Sequence, residues 1–299
     1  MKILLTGASG QLGKEIIKQK PKRFNLIPLC REKLDLSSYH DCYKLVEKQR
    51  PDWIINAGAF TSVDNAEFQK ETVLKINALA PRAFADSLLQ YGGKLLQIST
   101  DYVFNGNQNY PYKTFQKTSP INYYGKSKAL AEKHIQDVFL NSGNSIILRT
   151  SWLIGKDGKN FAKSIINLIN KNDQINVVQD QIGCLTTTIS LAKVCWDILK
   201  KNTSSINHED IPPILHWTDG GVASWYDIAE NINELSFKLG ITNKKALINP
   251  IYSREYKTNA KRPNFSLLDC KSTQEFLGYK PLHWTRSLNE VISDINFKF

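Results

Sequence analysis

Tyr124 and Lys128 stand four residues apart in the run Tyr124-Gly125-Lys126-Ser127-Lys128. On a helix that spacing places both on one face. A cation beside a phenol favours the phenolate, so Lys128 is expected to lower the pKa of Tyr124 from its ordinary value of about 10. A phenol so placed can give a proton to a carbonyl oxygen as hydride reaches the carbon. Lys128 also has the reach to bond a ribose hydroxyl. Taken alone the pattern is weak, since a surface tyrosine with a lysine neighbour has the same spacing. Two other stretches strengthen it. In the first, an apolar run from Lys2 to Leu5 leads into Thr6, Gly7, Ala8, Ser9, Gly10, Gln11, Leu12 and Gly13. A strand, closely spaced glycines and then a helix make a cradle for a dinucleotide pyrophosphate. Gly7 permits a tight turn, Gly10 lets backbone approach the phosphates, and Gly13 lets the helix lie close to the strand. The spacing is Gly-x-x-Gly-x-x-Gly. A cradle alone implies a nucleotide, not redox chemistry.

The second stretch is Ser99-Thr100-Asp101-Tyr102-Val103-Phe104. Ser99 and Thr100 end an apolar run, where a hydroxyl can hold a substrate oxygen beside Tyr124. They read equally as a strand-end cap, and Asp101 as a turn residue. Asn56-Ala57-Gly58-Ala59 follows another apolar run, and small residues there admit a cofactor close to backbone.

These residues need a frame. Strands are expected at Ile3–Leu5, Leu26–Cys30, Trp53–Asn56, Leu95–Ser99 and Ile146–Thr150. Helices are expected at Gln11–Gln19, from Ser37 or Ser38 to Gln49, over Ala66–Tyr91 with Pro81 as a break, and at Tyr123–Leu140. Such alternation predicts a doubly wound, parallel α/β sheet of Rossmann type covered on both faces. Right-handed crossovers bring the strand C-termini, and with them every motif above, to one edge. Residues 1–150 form this dinucleotide-binding part, and 186–213 return to it. Residues 151–299 make mostly a smaller mixed α/β substrate lobe. It has helices at Asn160–Asn170 and Ile189–Lys200, one capped by Ser224 that runs to Leu239, and one at Ser287–Ile295. Its short strands are Ile175–Val178 and Leu215–Thr218, and Asn202–Pro213 reads as a polar linker.

The chain has 299 residues, 41% hydrophobic and 22% charged, which suits a folded chain of one large or two medium domains. Its formal charge of +11 is scattered rather than blocked. That suits an anionic substrate or a merely solvated face, not nucleic acid. The five cysteines, Cys30, Cys42, Cys184, Cys195 and Cys270, lack metal-ligand spacing and fit a reduced cytoplasmic protein. The start MKILLTG is too short an apolar run for a signal peptide, and no stretch approaches the ~20 apolar residues of a membrane span.

Taken together, the stretches resemble the extended short-chain dehydrogenase/reductases, in the branch that acts on nucleotide sugars. The resemblance runs over nearly the whole chain. It is carried by Thr6–Gly13, Asn56–Asp64, Asn77 with Ala78, Ser99–Phe104, Pro120–Lys128, Arg149–Trp152, Asn160–Lys163, Val178–Thr186, and Arg262 with Pro263. It implies reduction of the 4-keto group of dTDP-6-deoxy-L-lyxo-4-hexulose, a dTDP-linked 4-keto-6-deoxy sugar, by NADPH or NADH. Thr100, Tyr124 and Lys128 match the family's catalytic triad. Gly7, Gly10, Gln11, Leu12 and Gly13 match its pyrophosphate loop, and Asp35 and Leu36 the pair beside adenine. Ala57, Gly58, Ala59 and Thr61 match the lining of the nicotinamide nucleotide, with Ser99 beside them. Val63, Tyr102, Val103, Phe104 and Trp152 match the sugar pocket, and Arg262 an arginine suited to a diphosphate. Trp152 reads equally as a core aromatic between lobes. Two departures stand out. Ile182-Gly183-Cys184-Leu185-Thr186 replaces a common Tyr-Gly-Ala-Pro-Thr, which predicts a looser loop, and Gly58 replaces a commoner alanine. Some members hold magnesium through acids at a dimer interface. Those acids are not matched here, so no metal is assigned, while a homodimer fits the resemblance.

On the same fold, an epimerase, a dehydratase and a non-catalytic cofactor-binding subunit are alternatives. A dehydratase usually wants an Asp-Glu pair after the threonine, where this chain has Asp101 and Tyr102. The cofactor is read at the end of the second strand, where a carboxylate would repel a 2′-phosphate. Cys30 stands there, then Arg31, Glu32 and Lys33. Arg31 suits phosphate oxygens and tilts the expectation to NADPH. Glu32 turned inward would favour NADH, and a solvated loop would leave both in use.

Overall fold

The structure is a computed structural model that describes residues 1–140, 142–203 and 212–295. Its first half runs β1 (Lys2–Thr6), α1 (Gln11–Lys18), β2 (Asn25–Leu29), α2 (Tyr39–Gln49), β3 (Trp53–Asn56), short helices α3 (Val63–Ala66) and α4 (Lys70–Leu74), a π-helical turn (Lys75–Leu79), α5 (Ala80–Leu89), β4 (Lys94–Thr100), α6 (Tyr123–Val138) and β5 (Ser145–Thr150). The second half runs β6 (Leu153–Ile154), α7 (Phe161–Lys171), β7 (Gln174–Val178), β8 (Ile182–Gly183), β9 (Thr186–Thr187), α8 (Thr188–Thr203), β10 (Ile214–His216), β11 (Ala223–Ser224), α9 (Trp225–Lys238), β12 (Leu247–Ile251), α10 (Lys271–Leu277) and α11 (Trp284–Ser293).

Six strands form one parallel sheet in the order β10-β5-β4-β3-β1-β2. Its inner strands are mostly apolar because helices cover both faces, and the polar residues they hold, such as Asn56 and Gln97, are buried. Ile3, Leu5, Trp53, Ile55 and Leu96 pack with Leu12 and Ile16 of α1 and with Leu191, Cys195 and Leu199 of α8. The alternate residues Leu4, Ile54, Leu95 and Ile147 pack with Val46 of α2, Phe84 and Leu88 of α5 and Ile135 of α6. The sixth strand, β10, corresponds to the strand expected at Leu215–Thr218 in the second lobe, but it pairs with β5 and so belongs to this sheet, just beyond the stretch expected to return to it. Most of the expected linker, residues 204–211, lies outside the described residues.

The helical stretch expected over Ala66–Tyr91 with a break at Pro81 has its last break there, and it is divided further into α3, α4 and the π-helical turn ahead of α5. Proline lacks an N–H and its ring presses on the carbonyl four residues back. Pro81 therefore sits in the first turn of α5, and the wider π turn comes just before it.

A second core joins Ile165, Ile166 and Ile169 of α7, Ile228 and Ile232 of α9, and Leu288 and Ile292 of α11. The parallel pair β7–β12 borders it. The sequence reading missed β12, whose run LINPI is short and holds a proline. That proline is tolerated because the sheet has only two strands. The last helix starts at Trp284, three residues before the expected Ser287, because His283 serves as its N-cap. Among the described residues, no helix is long and apolar enough to cross a membrane.

Candidate active site

A cleft of about 730 Å³ opens at the C-terminal edge of the sheet, between the glycine loop, the loops after β3 and β4, and the segment after β5. Gly7, Gly10, Gln11, Leu12, Gly13, Ala57, Gly58, Ala59, Thr61, Val63, Ser99, Thr100, Tyr102, Tyr124, Lys128 and Trp152, all expected site residues, line it. Gly7 has φ +65°, and a Cβ there would lie 2.7 Å from the Gly58 nitrogen. At Gly10 a Cβ would approach only the Gly7 carbonyl, at 3.2 Å, so this glycine keeps the cleft side clear. No side chain caps α1 after Gly10. Its free N–H groups and the bare backbone around them fit a dinucleotide pyrophosphate.

Behind the loop runs a buried polar relay. The Gly58 N–H donates to Thr6 Oγ1 at 3.0 Å, and Thr6 donates to Asn56 Oδ1. Asn56 donates to Gln97 at 2.7 Å, and Gln97 donates to the Ile98 carbonyl at 2.7 Å. Lys128 Nζ donates to that same carbonyl, also at 2.7 Å. The relay ties the start of the glycine loop to the lysine through the ends of β1 and β3 and the middle of β4. Its sequence signal was polar residues inside apolar strands, Gln97 above all.

Tyr124 and Lys128 sit in the first turns of α6, which Asn122 caps by accepting the Gly125 N–H at 2.8 Å. The Thr100 hydroxyl lies beside the Tyr124 phenol, donates to Asp101 Oδ1 at 3.0 Å and accepts from the Tyr102 N–H at 3.2 Å. The expected lowering of the Tyr124 pKa does not occur. Burial pushes it up to about 12, and the Thr100 hydrogen bond pulls back only part of the way. Burial also brings Lys128 down to about 8, against the pull of Glu132. Spacing could not show this, because desolvation depends on what covers the two groups. Asp101 is 2% exposed, and burial raises its carboxyl to about 7.

Several expected residues are placed otherwise. Ser99 lines the cleft, yet its hydroxyl donates to Glu132, which is ion-paired with Arg149 in the interior. It is therefore not free to hold a substrate oxygen. Val103 and Phe104 are fully buried with Tyr112, Leu268 and Cys270. A tight turn over Asp101–Val103 breaks the strand's alternation and sends them inward. Arg262 does not line the cleft. It pairs with Asp64 at 2.5 Å and hydrogen-bonds Tyr102, which does line the cleft, so it stands one residue behind the wall. Arg31, Asp35 and Leu36 lie outside the cleft wall. Leu36 packs against Gly58, where a Cβ would lie 2.5 Å from its Cδ1, while Arg31 and Asp35 are exposed. The strand they follow ends at Leu29, one residue before the expected Cys30.

Trp152 meets both of its readings. It lines the cleft, and it stacks on Trp225 at 3.9 Å against the second core. Its φ of +46° is rare for a bulky residue, and Gly183 makes room for the indole. The loop expected to be loose without its proline is instead packed, with Cys184 and Leu185 fully buried. Among the described residues, no three His, Cys, Asp or Glu side chains are grouped to hold a metal ion.

A family model described as "RmlD substrate binding domain" matches residues 1–297. The chain is 34% identical to a dTDP-4-dehydrorhamnose reductase from Aggregatibacter actinomycetemcomitans, over 97% of this chain and 98% of that one. The chain belongs to the dTDP-4-dehydrorhamnose reductase family. A solved reductase of this name from Clostridium acetobutylicum shares 37% identity and superposes with a TM-score of 0.87 over 98% of each chain. Another, from Bacillus anthracis and solved in complex with NADP, shares 31% identity with a TM-score of 0.86, covering 97% of this chain and 98% of that one.

Asn77 acquires a structural account within this dTDP-4-dehydrorhamnose reductase fold. In the π-helical turn it accepts from the Phe60 N–H at 2.8 Å, and donates to the Phe60 carbonyl and to Ser127 Oγ, each at 3.0 Å. Ser127 in turn donates to the Tyr124 carbonyl at 2.7 Å. One amide thus holds the wall after β3 and the first turn of α6 in register. Gln11 reaches the other way, to residues 155–160, where Asn160 is both the start of an expected helix and part of the resemblance.

Proposed function

We propose that this chain catalyses the reaction of its family, reduction of the 4-keto group of dTDP-6-deoxy-L-lyxo-4-hexulose to give dTDP-L-rhamnose. As a member of that family the chain is an NAD(P)H-dependent oxidoreductase. The observation that carries the reading is the meeting of Thr100, Tyr124 and Lys128 in one cleft with the glycine loop. When bound, the nicotinamide supplies a hydride to the carbonyl carbon. Tyr124 supplies the proton that completes the new hydroxyl. With its pKa near 12 it stays protonated throughout the ordinary pH range, as a proton donor must. Donation leaves a phenolate, which the Lys128 ammonium and the Thr100 hydroxyl stabilise. Val63, Tyr102 and Trp152 form the wall proposed for the sugar. The cytoplasm is the proposed setting, one that suits a chain with five unpaired cysteines. The test is loss of NADPH absorbance when the 4-keto sugar nucleotide is added to purified protein. A chain that binds NADPH yet never oxidises it would be a binding subunit instead.

NADPH is the proposed preferred cofactor. No carboxylate ends β2, and Arg31, exposed two residues after it, offers a planar cation that suits a 2′-phosphate. The expected kcat/KM is higher with NADPH, and Arg31→Ala should cut the NADPH/NADH ratio by roughly three- to tenfold, the worth of an exposed charge-assisted contact. Steady-state kinetics with both cofactors decide it, and an unchanged ratio would remove Arg31 from the site.

A further inference from the structure

Residues 155–160 cross from the second lobe to the glycine loop, and Gln11 is what they grip. Its Oε1 accepts from the Gly155 N–H at 3.2 Å and from Asn160 Nδ2 at 2.9 Å, and its Nε2 donates to the Lys159 carbonyl at 3.4 Å. Gly158, at φ +70°, lies against the same side chain, where a Cβ would sit 3.0 Å from Gln11 Cγ. Lys14, further along α1, pairs with Asp157 at 3.0 Å. Asn160 organises the segment. Its Oδ1 caps α7 by accepting the Lys163 N–H at 3.1 Å, and its Nδ2 also donates to the Gly155 carbonyl at 2.6 Å. One side chain therefore joins both ends of the segment, starts the helix behind it and reaches the glycine loop. Ser9, Gly10 and Gln11 face Gly158, Lys159 and Asn160 across the same cleft.

We propose that residues 155–160 are a strap over the pyrophosphate end of the cleft, and that Asn160 is its latch, a positioning residue that sets how long the dinucleotide stays bound. This rests on the reading that the glycine loop binds a dinucleotide. The Lys14–Asp157 pair is too exposed to hold the strap by itself. The amide contact between Gln11 and Asn160 is only half-buried. A latch of this strength can open in every turnover, and losing it should speed cofactor release by roughly five- to tenfold, the worth of one neutral hydrogen bond.

The test is stopped-flow displacement of NADPH, followed by its fluorescence, from the parent and from Asn160→Ser. Serine caps a helix about as well as asparagine and adds no charge to repel phosphate, but it is too short to reach Gln11. The expected result is a thermal midpoint close to the parent's with release accelerated five- to tenfold. A residue that only caps α7 would leave the release rate alone, so a folded variant releasing NADPH within twofold of the parent would overturn the latch. A second measurement needs no variant. Lysyl endopeptidase should cut after Lys156 and Lys159 of the parent severalfold more slowly with NADPH present, and equal cleavage would overturn the strap. A parent that binds no NADPH in the same titration would instead overturn the reading beneath it.

Discussion

Tyr124→Phe should bind NADPH as the parent does and lose roughly 10²- to 10⁴-fold in kcat, the usual worth of a general acid. The ring is kept, and with it the edge contact to Tyr102 at 6.0 Å between centroids, so the fold around it is preserved. Only the proton donor goes. Steady-state kinetics with a parallel fluorescence titration measure both halves of the statement, and turnover within threefold of the parent would remove Tyr124 from the chemistry. The parent's pH profile tests its partner. A phenol near pKa 12 does not titrate in the working range, whereas Lys128 near 8 does. The active form holds the lysine charged, so kcat/KM for reduction should be level below pH about 7 and fall as pH rises through about 8. In Lys128→Met that fall should vanish along with most of the rate.

Gly125→Ala is expected to fold and to lose on the order of 10²-fold in kcat/KM. A Cβ at this position would overlap the Tyr102 carbonyl oxygen and lie 3.0 Å from Pro120 Cβ. The helix cannot slide aside freely, because its first turn is fixed from three directions. Glu67 accepts the Tyr123 N–H at 2.8 Å, Asn122 accepts the Gly125 N–H at 2.8 Å, and Asn122 donates to the Lys261 carbonyl at 2.8 Å. Separation must then open between α6 and the turn after β4, which is the gap between Tyr124 and Thr100. A misplacement of about 1 Å in a reacting pair costs about that factor in rate. Overpacking costs roughly 1–3 kcal/mol, and the better helix propensity of alanine returns up to about 1. The thermal midpoint should therefore fall by only a few degrees while activity collapses. An alanine variant with parental kinetics would show that this close approach does not set the pair.

What the sequence disclosed was whatever depends on local stereochemistry. The glycine loop is legible because Gly7 needs a positive φ and Gly13 has no room for a side chain. The sheet is legible because strands covered on both faces must be apolar. Tyr124 and Lys128 are legible because helical spacing fixes their shared face. Most of what the sequence left unread is set by tertiary contact or burial. Arg262 meets an acid 198 residues away, and no pattern near either one announces the pair. Val103 and Phe104 turned inward because the turn that Asp101 begins, one of the two readings of that residue, ended the alternation after Thr100. The Tyr124 pKa went up because burial, invisible in spacing, outweighs the Thr100 hydrogen bond, and the Asp101 carboxylate adds to it. Gln97 and Asn56, amides among aliphatics, were a signal that the sequence analysis passed over, and the relay they form accounts for the interruption.

The π-helical turn at Lys75–Leu79 limits how this chain can change in length. Such a turn carries a residue more than the α-helix it interrupts. Deleting one residue there would restore regular helix and improve local geometry. It would also rotate α5 by about 100° relative to α4. Either Asn77 would swing off Phe60 and Ser127, or Phe84 and Leu88 would leave the core beneath the sheet. The extra residue thus acts as a phase correction between two faces with different obligations, one to the cleft wall and one to the interior. A shortening tolerable in an exposed loop would here put a better helix in the wrong rotation.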